Sequence, residues 1–251
     1  MSDHNATRLA QSLLKAHQTQ KRIAVDDDAR ALTRAQAKQV IWEVAQGLHQ
    51  APGGWKVAVI DGTPAYAPMF AQHIHTNSAH VPMIEEGYLI EIEVAVELTA
   101  DLPHRSTPYS RHEIEAACGS WIAGIELIGS RLKKSPGDAP FPAWLADNMG
   151  NAAFVTGARV PFSAIADAAT LPLTWWLDGT VKEDKIGGHP QNDPILPILL
   201  NANAPDDAFG GFKKGQIITT GSLTVPTLIT GAGHIEAEIK GIGRVSLTVD
   251  A

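Results

Sequence analysis

The sequence predicts an α+β fold, with a helical N-terminal region over residues 1–54 and a β-rich domain over residues 55–251. Three observations predict it. Before residue 50, apolar residues recur at helical spacing; from Trp55 onward they alternate or run in short blocks. The 22 glycines and 16 prolines are dispersed, as many separate turns require, rather than gathered as in a disordered tract. No internal repeat, low-complexity tract or heptad pattern interrupts the chain.

Ala6, Leu9, Ala10, Leu13, Leu14 and His17 fall on one helical stripe. A second stripe holds Ala37, Val40, Ile41, Val44, Ala45 and Leu48. Thr33 and Gln36 form a capping-box pattern ahead of it, and Pro52-Gly53-Gly54 is expected to stop it. The run Asp26-Asp27-Asp28 between the helices reads as a solvated loop and cap. Residues 55–60 then predict a short strand, and 61–82, rich in Pro, Gly and His, an irregular stretch. Residues 88–98 alternate apolar with polar and predict a strand. Ser110 and Glu113 mark a second capping box, so 110–118 predicts a helix. Residues 121–128 form an apolar run expected of a buried strand. Strands are expected at 154–160, 171–177 and 216–220. Residues 193–202 are expected to be helical despite Pro194 and Pro197. Ile235, Ala237 and Ile239 alternate with charges, Gly241-Ile242-Gly243 turns the chain, and 244–249 returns as a hairpin partner.

Composition excludes several functions. A net charge of −7 argues against a general nucleic-acid binder, which needs a basic face. The single cysteine, Cys118, rules out a disulfide within the chain and a cysteine-based zinc site. Residues 1–10 carry Asp3, His4 and Arg8 and lack the apolar core of a signal peptide. No apolar run reaches the ~18 residues of a membrane span. A cytoplasmic protein with a small-molecule substrate is the expectation.

The chemistry concentrates in Tyr88-Leu-Ile-Glu-Ile-Glu-Val-Ala-Val-Glu-Leu98. On a strand, Tyr88, Ile90, Ile92, Val94, Val96 and Leu98 share one face, and Glu91 and Glu93 share the other. Two residues at i, i+2 stand about 7 Å apart at Cα, close enough for their carboxylates to converge on one ion. Like charges so placed raise each other's pKa unless a cation relieves them, and oxygen ligands of this kind suit a hard divalent ion. The same alternation also describes a strand with a solvated polar face. Glu126 lies in the otherwise apolar run 121–128, where a charge needs a metal or a partner; Arg131 is the partner nearest in sequence.

Taken in order, Gly54-Trp-Lys56, Glu91-Ile-Glu93, Gly124-Ile-Glu126-Leu-Ile-Gly-Ser-Arg131, Asp147-Asn148, Gly188-His189-Pro190, Lys214-Gly215 through Gly221-Ser222 and Glu236-Ala-Glu-Ile-Lys-Gly241-Ile-Gly243 resemble the 2-keto-4-pentenoate hydratase and 4-oxalocrotonate decarboxylase family of the fumarylacetoacetate hydrolase superfamily. The resemblance covers roughly residues 54–249. It implies a mixed β-roll, a Mg²⁺ or Mn²⁺ ion on Glu91, Glu93 and Glu126, an active-site lysine at Lys56 just after a Gly54-Trp55 turn, and a homo-oligomer. It implies a hydratase of 2-hydroxypenta-2,4-dienoate-like 2-oxo acids, such as arise in aromatic catabolism, with a decarboxylase as the alternative. Arg131, Asp147, Asn148, His189 and Ser222 are expected around the substrate.

The sequence departs from the family in two places: a serine usual soon after Asp147-Asn148 is absent, since Met149-Gly150-Asn151 follows, and a loop after the lysine differs. Where an acidic residue is usual after the lysine, this chain has Gln72-His-Ile-His-Thr-Asn-Ser-Ala-His80. One of His73, His75 and His80 is a candidate to move protons instead. The same departure raises a reading from another class, a non-catalytic partner subunit that keeps the fold.

Overall fold

The computed structural model describes residues 2–133, 139–204 and 209–251. Its elements in chain order are α1 (Ser2–Thr19), α2 (Asp27–Arg30), α3 (Arg34–Gly47), β1 (Pro52–Ile60), β2 (Thr63–Phe70), β3 (Ile74–Thr76), β4 (Ala79–Pro82), β5 (Tyr88–Leu98), α4 (Arg111–Ala117) and β6 (Cys118–Ile128). There follow α5 (Phe141–Ala146), β7 (Asn151–Pro161), β8 (Pro172–Leu177), β9 (Thr180–Ile186), α6 (Ile195–Ala202), β10 (Ile217–Ser222), β11 (Thr227–Ile229), β12 (Gly233–Ile239) and β13 (Gly243–Asp250). Among the described residues, no helix is long and apolar enough to cross a membrane.

Local chemistry accounts for the helix starts. Thr33 and Ser110 cap α3 and α4, each with the reciprocal bond from Gln36 or Glu113. Asp26 accepts from the Ala29 N–H and starts α2, so the acidic run serves as a cap. Pro194 precedes α6, and Pro197 falls in its first turn, where no backbone N–H is needed.

Two mixed sheets form. The larger runs β2-β1-β10-β5-β6-β7-β3, with β11 also paired to β5; the smaller runs β4-β13-β12-β8-β9. β1 and β10 are parallel, whereas β10–β5, β5–β6 and β6–β7 are antiparallel. The apolar face of β5, including Ile90, Ile92, Val94 and Val96, packs in one core with Trp175, Ile235 and Leu247 of the smaller sheet. A second core joins α1 and α3 to β2 and α5. The N-terminal helices thus share their apolar layer with elements of the β-rich part.

Three local expectations are corrected. Pro52-Gly53-Gly54 does not stop α3, which ends at Gly47; it opens β1, so the strand straddles the expected boundary at residue 54. Lys56 accordingly sits mid-strand, opposite Thr219 and Ala67, and not after a turn. The stretch 61–82 holds β2, β3 and β4. The short strands β9 and β11 were not anticipated.

Candidate metal centre

The register of the central strands assembles the acidic groups. Glu91 of β5 lies opposite Glu126 of β6, and Glu93 lies opposite Gly124. Opposed residues of an antiparallel pair project from the same face. Glu91, Glu93 and Glu126 each place one carboxylate oxygen within 4.8 Å of the other two. Gly124 keeps the space between them open only to a ring: a Cβ there would meet Phe154 Cζ at 2.2 Å. Ala95, Ile122 and Phe154 pack together as a dry flank on this face.

Glu93 and Glu126 are fully buried, and Glu93 Oε2 accepts no hydrogen bond. Burial, then the neighbouring Glu126 and Glu91, push the Glu93 carboxyl well above the usual range. Glu91 is raised too, by burial and Glu126, against the opposing pull of Lys56. Lys56 Nζ stands 3.0 Å from Glu126 Oε2 and 3.7 Å from Glu91 Oε2, and donates to the Met149 carbonyl at 3.4 Å. Burial alone would lower its pKa, but the three carboxylates outweigh burial and hold the ammonium above the ordinary lysine value.

Three carboxylates against one ammonium leave two negative charges uncompensated when all are ionised. A buried excess of that size is untenable without a counter-ion. A hard divalent cation matches it in charge, and oxygen-only donors match it in chemistry. The residues therefore fit the ion that the family resemblance implies.

A cavity of about 320 Å³ opens over this cluster, and Lys56, Glu91, Glu93 and Ser222 all line it. Ser222 pairs with Glu93 across β10–β5, and its hydroxyl donates to the Thr224 carbonyl at 2.9 Å. The other expected site residues lie elsewhere. Arg131 does not pair with Glu126. Its guanidinium is bound to Asp147 through Nε, to the Asp147 carbonyl at 2.6 Å and to the Asn151 carbonyl at 2.8 Å. Asp147 also accepts from Ser130 Oγ and the Arg131 N–H. Arg131 itself lines a separate cavity with His17 and His73. Asn148 is buried outside the cavity lining. His189 is buried behind the lining: Nδ1 accepts from the Gln191 N–H at 3.3 Å, so Nε2–H donates to the Thr220 carbonyl at 2.9 Å. Burial lowers its pKa and keeps it neutral.

None of the three loop histidines reaches the cavity. His73 lines a separate cavity with His17 and Arg131, Thr156 bonds the backbone of His75 in β3, and His80 is exposed beside Asp250. One buried residue was missed. Asn151 Nδ2 donates to Glu126 Oε1 at 2.9 Å and fixes the carboxylate that carries Lys56. It follows three successive residues in the left-handed region, Asn148, Met149 and Gly150. That turn also aims the Met149 carbonyl at Lys56. Asn148 tolerates the left-handed conformation, whereas Met149 adopts it at a cost on the order of 1–2 kcal/mol, and nothing in the sequence marks it.

No protein-family model matches the chain. It is 25% identical over 185 residues to 2-keto-4-pentenoate hydratase of Paraburkholderia phymatum, covering 73% of this chain and 69% of the relative. It is 22% identical over 253 residues to 4-oxalocrotonate decarboxylase of Pseudomonas putida, covering 96% and 94%. The chain is a homologue of these enzymes. The solved 4-oxalocrotonate decarboxylase of Pseudomonas putida G7, complexed with magnesium and adipate, superimposes with a TM-score of 0.84 at 22% identity over 97% of both chains. The fumarylpyruvate hydrolase of Pseudomonas aeruginosa, solved with Mn²⁺ and pyruvate, follows at 0.55 and 13% identity over 78% of this chain and 88% of that one. The homologue thus has the fumarylacetoacetate hydrolase fold, and its acidic cluster is one that could bind a metal.

Proposed function

We propose that this chain is a metal-dependent lyase that hydrates 2-hydroxypenta-2,4-dienoate-like 2-oxo acids in the cytoplasm, as a homo-oligomer. The observation that carries the reading is the convergence of Glu91, Glu93 and Glu126 within 4.8 Å beside a single buried ammonium. Glu91, Glu93 and Glu126 would hold Mg²⁺ or Mn²⁺. When bound, such an ion supplies Lewis acidity at the keto oxygen of a 2-oxo acid. The chain's own groups do the rest. Lys56 offers a fixed positive charge where negative charge develops on the substrate. Asn151 keeps Glu126 turned toward Lys56. Ser222 lines the cavity beside Glu93, with its hydroxyl held by the Thr224 backbone. The dienol gives up its enol O–H proton and takes one at its far carbon, which leaves the conjugated ketone, and water then adds across its C=C bond, the OH to the carbon β to the ketone and the proton to the α carbon.

Loss of ultraviolet dienol absorbance by the purified chain with Mg²⁺, abolished by a chelator, tests this reading. Decarboxylation is the second reading. The decarboxylase match spans 96% of the chain, against 73% for the hydratase. Release of CO₂ from the matching unsaturated 2-oxo diacid, in step with the appearance of dienol absorbance, would favour it. Absence of turnover with either substrate would favour a non-catalytic subunit, and light scattering measures the oligomer.

A further inference from the structure

A second cavity, of about 580 Å³, shares no lining residue with the one over the glutamates. Backbone pairing builds its basic wall. The segment leaving α1 runs beside residues 131–133: the Ile23 N–H donates to the Arg131 carbonyl at 2.9 Å, and the Lys133 N–H donates to the Ile23 carbonyl at 2.8 Å. That pairing gathers Lys21, Arg22, Arg131 and Lys133 around one hollow. Two carboxylates, Glu85 and Glu86, face them, and Glu86 is taken by Arg22. The lining thus carries an excess of two positive charges in a chain of net charge −7, and Asp147 offsets one of them from behind.

Inside the hollow stand donors that folding has fixed in place. The Arg131 guanidinium has five N–H groups; Asp147 and the Asn151 carbonyl occupy three of them, so two remain among the described residues. Burial first, then the Arg131 charge, keep the imidazoles of His17 and His73 neutral. Gln72 Nε2 can only donate, so His73 Nε2 accepts from it at 3.2 Å and His73 Nδ1 carries the proton. The His17 ring, also on the lining, has no hydrogen-bond partner among the described residues. A guanidinium fork, neutral imidazoles and unpaired ammonium groups around one hollow match an anion with several acceptor oxygens. Leu48, Ile84 and Ala152 supply apolar lining, and the volume is that of a small-molecule site.

We propose that this cavity is a second binding site, which takes an oxyanion of the phosphate class, as the free ion or as the head of a small ester. It does not rest on the reading of the glutamates, because the two cavities have separate linings.

Calorimetry on the Mg²⁺-loaded full chain at fixed ionic strength tests this, with sulfate as the probe of the head and glycerol 3-phosphate as the probe of an ester. Saturable binding of sulfate is expected, and the ring resonances of His17 and His73 are expected to move with it. Lys21→Gln with Lys133→Gln, two exposed positions, is expected to weaken binding at least about threefold. Glu85→Gln removes a facing carboxylate and is expected to tighten binding about twofold, a gain that a misfolded protein cannot imitate. Glycerol 3-phosphate binding tighter than sulfate would assign the ester, and equal binding the free ion. No saturable binding of either probe overturns the proposal. So does binding that neither charge change alters, which would put the anion on the metal instead.

Discussion

Glu93 gives the site its character at the scale of single residues. A buried carboxylate with an oxygen that accepts nothing is stable only as an acid or beside a cation. Replacing one such group removes a third of the negative charge, so Glu126→Gln is expected to abolish measurable Mn²⁺ binding by calorimetry. Asn151 acts one step out by orienting Glu126, and Asn151→Ala is expected to weaken Mn²⁺ binding 10- to 100-fold, as the loss of such outer partners typically does. Lys56 separates binding from reaction. Lys56→Met is expected to keep or strengthen Mn²⁺ binding, because a competing cation is gone, and to lower turnover by at least about 100-fold. The three glutamates were legible in the sequence because strand alternation and a charge inside an apolar run are local signals. The engagements of Arg131, Asp147 and His189 were not. Each depends on a partner fixed by tertiary structure: Asp147 lies 16 residues from Arg131, and Thr220 lies 31 from His189.

Among elements, the strand pair β5–β6 sets the site's geometry through a residue with no side chain. A methyl group at Gly124 would strike Phe154 at 2.2 Å and wedge the pair apart beside Glu93. Gly124→Ala is expected to cost about 1–3 kcal/mol by urea unfolding, as overpacking of cores does, and to weaken Mn²⁺ binding as well. β5 and the two capping boxes were legible because they follow strict periodic or positional rules. β2 was not: Pro64 and Pro68 argue against a strand, yet β2 lies at the edge of the larger sheet, where a missing N–H is tolerated. β9 escaped for a related reason. It is the edge of the smaller sheet, and its Lys, Glu and Asp side chains are those that guard an edge, not those that signal a core strand.

For the whole molecule, the N-terminal helices and the larger sheet enclose two titratable groups that constrain stability. Burial, with Arg131 nearby, lowers His17 from 6.5 to about 3 and His73 from 6.5 to about 4. Both are neutral in the folded chain at pH values where the unfolded chain protonates them. Stability is therefore full above about pH 6.5 and declines as pH falls from 6.5 towards 4 for His73 and towards 3 for His17. The raised carboxyls of Glu91 and Glu93 act in the opposite sense, so the histidine contribution is read as a difference: from pH 7.5 down to 4.5 the urea midpoint of the unaltered protein is expected to lose more, or gain less, than that of His17→Gln with His73→Gln. The α+β class was legible from the change of period at Trp55. The two-sheet arrangement was legible only through the family resemblance, since no periodic pattern tells which strand pairs with which. The most direct measurement of the account as a whole is anomalous diffraction from crystals grown with Mn²⁺. The account predicts one strong peak about 2 Å from an oxygen of each of Glu91, Glu93 and Glu126, with open positions facing the cavity; a peak elsewhere, or none with the three carboxylates still clustered, would contradict it.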